Sequence, residues 1–143
     1  GVFWFSKAGV VWLKEGYQID YPMLRKLDGT LEGLNRGQDA NIHAVWDSSQ
    51  NRVMFFLFKG TGQTTVNLRA DFYPEWDAWY LHTGYGVQMS AAGAALVDGV
   101  PNIYGGGYEP ATSGSISPMY SNTYNPGQIW VNGNQFGMSY API

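Results

Sequence analysis

Short apolar and alternating runs, separated by polar turn residues, divide the chain into paired strands. Ile42–Asp47 and Arg52–Phe58 flank Ser48-Ser49-Gln50-Asn51. Two β-rich runs around a turn-forming tetrad predict a hairpin. Val2–Phe5 and Val10–Leu13 around Ser6-Lys7-Ala8-Gly9 predict another, with glycine at the turn. Thr64–Asp71 pairs in the same way with Ala78–Thr83 across Phe72–Asp77, read as a turn. Ala94–Val97 pairs with Val100–Tyr104 across Asp98-Gly99, a tight-turn dipeptide. Pro101 lacks an N–H for a ladder, which places that last strand at an edge or a bulge.

The period changes between Pro22 and Leu34. Leu24, Leu27, Leu31 and Leu34 recur at steps of three and four, the spacing of one helical face. Pro22 suits a first helical turn, whereas Gly29 and Gly33 each cost up to about 1 kcal/mol relative to Ala inside a helix. One short or broken helix, packed by its leucines, is expected. Tyr17–Ile19 adds a short extension before it, and Asn35–Asn41 reads as a polar linker. From Gly105 to Gly127 the text turns to Gly, Ser, Asn, Pro and Tyr, the composition of a long loop or arm. Ser115–Tyr120 reads as extended, and Gln128–Val131 with Gln135–Tyr140 predicts a terminal hairpin.

The expected class is all-β, built of antiparallel meander units with one short helix. A β-sandwich is the alternative. The expected organisation is a β domain over 1–107 and an arm over 108–143 that ends in the short hairpin.

Composition narrows the functions open to this chain. Charged residues make up 13% of it, about half the usual share of roughly 25%. A free monomer normally carries a more charged surface, so much of the outside is expected to meet other chains or further parts of its own polypeptide. All eight Lys and Arg lie at or before Arg69, and the net charge is −3. Tight nucleic-acid binding needs clustered cations that displace counterions from phosphates, and no such cluster is visible. A weakly acidic wall can still line a DNA conduit without holding the polyanion. The chain has no Cys, which removes disulfides and Cys-based metal sites. No apolar run is long enough to span a membrane. The chain opens directly on a strand-like run after Gly1, which reads as a processed product or fragment.

Taken in order, these segments resemble a known family. A Gly-Val-aromatic hairpin with Ala8-Gly9-Val10-Val11 is followed by a short helix after Tyr21-Pro22. Then come His43-Ala44-Val45-Trp46-Asp47, Asn51-Arg52-Val53, Trp76-Asp77-Ala78-Trp79 and Asp98-Gly99-Val100-Pro101. This order is similar to the β-propeller repeats of tailed-bacteriophage nozzle, stabilisation and tail-hub proteins. It covers Gly1 to Gly107, about three-quarters of the chain. The resemblance implies two to three blades or part-blades. It also implies a non-catalytic role in a virion, assembly with copies of itself and with tail or portal-adaptor proteins, and passive contact with DNA in a lumen. A blade is a four-stranded antiparallel sheet of roughly 40–50 residues, and Ile42–Thr83 matches one in length and strand count. A closed ring takes 4–8 blades, so further blades are expected from elsewhere in a precursor or from other copies.

Residues able to carry chemistry are few. His43 and His82 are the only histidines, short of the three or four ligands of a metal site. His43 reads as a structural histidine and His82 as an exposed strand end. Asp71, Glu75 and Asp77 could supply the paired carboxylates of a glycosidase, but acidic residues at strand ends more often cap turns. Ser113, Ser115 and Ser117 lack the flanks of a nucleophile elbow, and Gly60-Thr61-Gly62 lacks the ending of a phosphate loop. No cofactor or metal is expected. The aromatic residues Trp76, Trp79, Tyr80, Tyr85, Tyr104 and Tyr108 form the one competing group of candidates. They would act at a subunit interface or, in a carbohydrate- or receptor-binding domain on a virion or extracellular surface, as a platform for sugar rings.

Overall fold

A computed structural model of the chain describes residues 1–84, 87–106, 116–117, 129–131 and 134–136. The protein is mostly β, with antiparallel sheets and a few short helices. It divides into two compact units. One contains Gly1–Ile42 and Phe58–Thr64, and the other His43–Leu57 and Thr65–Ile143. The expected boundary at 107–108 lies outside the described residues.

In the first unit, strands β1 (Val2–Ser6), β2 (Gly9–Leu13) and β3 (Ile19–Asp20) form a three-stranded antiparallel sheet. Lys7-Ala8 closes the first hairpin, with Ser6 opposite Gly9. Gly9 has φ 80°, and a Cβ there would sit 3.0 Å from Met23 Sδ and 3.1 Å from Leu31 Cδ1. Glycine is therefore required twice, by the left-handed backbone and by the side chains pressed against it. The predicted helix is broken into α1 (Pro22–Lys26) and α2 (Asp28–Glu32). The break is at Leu27, at φ −131° and ψ 36°, and it shifts the phase of the leucine face. Leu31 and Leu34 are buried as expected, but Leu24 is exposed and Met23 is fully buried. The polar linker carries a 3-10 helix over Arg36–Asn41, whose first turn is capped by the Asn35 side chain accepting from Gly37 N–H.

The second unit is organised around a four-stranded antiparallel sheet in simple meander order. Its strands are β4 (His43–Asp47), β5 (Arg52–Leu57), β6 (Leu68–Tyr73) and β7 (Ala78–His82). β4–β5 and β6–β7 are each closed by a four-residue loop ending in a residue at φ 50°, Asn51 in one and Asp77 in the other. Asn and Asp accept this left-handed conformation better than other non-glycine residues. β6 runs through Tyr73, so the turn is shorter than the sequence reading gave it.

The central strands β5 and β6 are buried along nearly their whole length on both faces. Alternation and register divide their side chains. Val53, Phe55, Leu57, Leu68, Ala70 and Phe72 form one apolar face, joined by Trp79 from β7. Arg52, Met54, Phe56, Arg69, Asp71 and Tyr73 form the other, joined by Asp47, Tyr80 and His82.

A second sheet in this unit has the order β10–β9–β8, from β8 (Ala91–Val97), β9 (Val100–Gly106) and β10 (Ile116–Ser117). Asp98 and Gly99 both have positive φ, as a two-residue hairpin turn of this type requires. β9 is the middle strand, yet among the described residues Pro101 itself is paired only on the β8 side, in keeping with the edge position expected of it. β10 pairs only with Gly105 and Gly106, so Pro101 lies beyond the reach of its ladder. β4 and β8, the lead strands of the two sheets, lie beside each other. A two-stranded ladder joins β11 (Ile129–Val131) to β12 (Asn134–Phe136), where a terminal hairpin was expected. Among the described residues no helix is long and apolar enough to cross a membrane.

Candidate functional site

The polar face of the four-stranded sheet carries two features that meet at Arg52 and Tyr73. The first is a buried ionic network. Asp71 is fully buried in the middle of β6. Arg69, two residues along the same strand and hence on the same face, donates from Nε to Asp71 Oδ1 at 2.8 Å and from Nη2 to Oδ2 at 3.0 Å. This is the forked geometry that makes Arg–carboxylate pairs strong. From β5, Arg52 donates Nη1–H to Asp71 Oδ2 at 2.9 Å and Nε–H to Asp47 Oδ2 at 3.0 Å. Asp47 Oδ1 in turn accepts from Ser49 N–H at 3.1 Å, tying the first loop into the network. Two guanidiniums thus face two carboxylates, and all four side chains are at most 5% exposed. The burial cost of each charge is offset only while every partner is present.

His82 closes the network from β7, its Nε2 lying 3.1 Å from Asp71 Oδ2. Expected to be simply exposed, it is 42% exposed yet bonded to the buried carboxylate. Burial first, and then the positive charge of Arg69, hold its pKa below the ordinary 6.5 against the opposing pull of Asp71. Its neutral form donates one hydrogen bond and adds no further positive charge beside the two arginines. His43 is stacked on Phe56, with ring centroids 4.6 Å apart. Among the described residues no three His, Asp or Glu side chains gather as a metal-binding group.

The carboxylates considered as an acid–base pair are therefore separated by environment. Asp71 is not a turn cap. It lies mid-strand because β6 continues to Tyr73, and its oxygens are engaged by two arginines and His82. Glu75 and Asp77 sit in the loop between β6 and β7.

The second feature is an open cleft of about 290 Å³ lined by Tyr73, Trp76, Ala78 and Tyr80. Strand register sets three of these on one face: Tyr73 stands opposite Ala78, and Tyr80 opposite Asp71. Trp76 comes from the loop, whose backbone is fixed by Trp76 N–H donating to Tyr73 O at 3.2 Å. Tyr73 and Tyr80 meet edge to face, centroids 5.4 Å apart and planes at 81°. The Tyr73 hydroxyl accepts from Arg52 Nη1 at 3.1 Å and donates to Gln50 Oε1 at 3.4 Å. The ionic network thus holds the floor of the aromatic cleft.

Comparison with family models, with curated proteins and with solved structures found no match.

The aromatic candidates are sorted by the sheet. Trp76 and Tyr80 come together in the cleft. Trp79 points to the opposite face and packs on Phe72 and Phe55, at centroid distances of 4.8 and 6.1 Å. Tyr104 belongs to β9 in the other sheet. Tyr85 and Tyr108 lie outside the described residues. Sequence reasoning missed Tyr73 by placing it in the turn. The available signal was Arg69-Ala70-Asp71-Phe72-Tyr73, whose alternation of polar or amphipathic and apolar residues extends the strand to its end.

Proposed function

We propose that the chain is a non-catalytic structural component of a bacteriophage tail, as a nozzle, hub or adaptor. It is built from β-propeller-type sectors and acts by assembling with copies of itself and with other tail or portal-adaptor proteins around the DNA path. The observation that carries this reading is the pairing of a four-stranded meander with a following sheet whose lead strand, β8, lies beside the lead strand β4. Radial stacking of successive meanders brings lead strands together in this way.

The exposed surface of the second sheet supports the same reading. Leu96, Val97 and Val100 are 72%, 45% and 55% exposed, and β8 contains no charged residue. Exposed apolar residues of this kind, with Asp98 in the turn the one charge beside them, favour contact with other protein. Burial of Asp47, Arg52, Arg69 and Asp71 removes four charges from a chain already poor in them. A net charge of −3 suits passive contact with DNA rather than capture. Placement in a phage tail rests on the order of the sequence segments, and the location proposed is the virion.

Immunogold electron microscopy with antibodies against the purified chain tests this on virions whose genome encodes it. Label at the tail end of the particle is expected. Virions without label, with the protein found only in the lysate, would overturn the proposal.

A further inference from the structure

We propose that the cleft between Tyr73, Trp76 and Tyr80 binds one neutral pyranose ring of a carbohydrate. This activity is separate from assembly and could stand if the tail assignment fell.

Size is the first argument. At about 290 Å³ the cleft lies at the lower end of the roughly 300–1,000 Å³ typical of small-molecule sites. It accepts a single ring. A helix with its side chains is about 10–12 Å across, and a stable protein interface buries about 800 Å² on each partner. Trp79, which would have widened the aromatic surface, is turned to the other face.

Chemistry is the second argument. The lining has no charged side chain. It offers aromatic faces together with the Tyr80 hydroxyl and the Trp76 indole N–H, apolar surface with polar tips. A pyranose has the complementary character, with C–H groups across its faces and hydroxyls around its edge. Trp76 is 73% and Tyr80 59% exposed, so neither ring is committed to a core. The lining holds no cation to pair with an anionic sugar, and exposed Glu75 lies in the same loop as Trp76.

Preorganisation is the third. The edge-to-face contact fixes Tyr73 against Tyr80, Arg52 and Gln50 hold the Tyr73 hydroxyl, and the backbone bond from Trp76 N–H to Tyr73 O fixes the loop. With both tyrosines and the loop backbone already ordered, less conformational entropy is given up when a ligand binds.

Saturation-transfer NMR on the whole chain tests the proposal. The probes are the methyl β-glycosides of glucose, galactose and N-acetylglucosamine, with the methyl glycoside of sialic acid as the anionic comparison. Transfer to the ring protons of at least one neutral glycoside is expected, with none to the sialoside. Trp76→Ala and Tyr80→Ala should each weaken binding at least tenfold. Trp46→Ala, on the opposite face of the sheet, should leave it unchanged. The proposal is overturned if no neutral glycoside shows transfer from the folded, unaltered chain, or if both cleft variants bind as the unaltered chain does. It is equally overturned if Trp76→Ala changes only the self-association of the chain, which would make the cleft a protein contact.

Discussion

The four-stranded sheet β4–β7 and the β8–β9 hairpin are both antiparallel, yet they treat burial in opposite ways. In the first, β5 has no exposed residue; one of its faces is closed by apolar side chains alone, and the other by paired charges beside the buried Met54 and Phe56. In the second, β8 reads Ala-Ala-Gly-Ala-Ala-Leu-Val and is exposed at every position but Ala92. Small side chains remove little apolar area from water, at about 25 cal/mol per Å², so β8 contributes little stability from within the chain. The difference separates two roles. In the proposed assembly the four-stranded sheet would hold the fold, and the exposed β8 edge would meet neighbours.

Breaking the stable side should have the largest effects. Asp71→Ala leaves Arg52 and Arg69 buried without their shared carboxylate. Removing one partner of a buried pair costs about 3–5 kcal/mol, readable by urea denaturation, and a loss below about 1 kcal/mol would show that the network does not stabilise the sheet. Phe72→Ala, on the apolar face of the same strand, should cost a similar amount, about 3–5 kcal/mol. Comparable losses from the two faces would show that charge pairing and apolar packing close this sheet equally well. In the other unit, Gly9→Ala forces a Cβ into the left-handed region, at about 1–2 kcal/mol, with a further cost from crowding against Met23 and Leu31.

Smaller effects sharpen the comparison. The pKa of His82 is lowered by burial first and then by Arg69, so the unfolded chain takes up the proton before the folded one does. The stability linked to His82 is therefore complete above about pH 6.5 and is lost as pH falls through the lower, folded value. Denaturation midpoints measured between pH 7.5 and 5 should fall with pH. His82→Gln, which keeps a donor for Asp71, should flatten that slope. Ala95→Lys on the exposed β8 should change stability by no more than about 0.5 kcal/mol while reducing self-association. An unchanged association state would show that β8 is not the contact edge.

Elements with strong local signals were legible in the sequence. Asp98-Gly99 marked a two-residue turn, and alternation around Ser48–Asn51 placed β4 and β5 to within a residue at every end. The network was not legible, because it depends on register. Arg52 and Asp71 lie nineteen positions apart, and only the pairing of Met54 with Asp71 brings them to one face. Composition gives the number of charges but not which of them are buried. The same cause divided the aromatics, since Trp79 and Tyr80 are adjacent in sequence and therefore on opposite faces. The helix was placed in the right segment, but nothing in its leucine spacing revealed the break at Leu27.

The account depends most on these sheets being sectors that are completed by neighbouring protein. Size-exclusion chromatography with light scattering, run on the purified chain over a hundredfold concentration range, tests this directly. The account predicts discrete multiples of the chain mass that shift toward the single chain in Ala95→Lys. A monodisperse monomer at every concentration would contradict it.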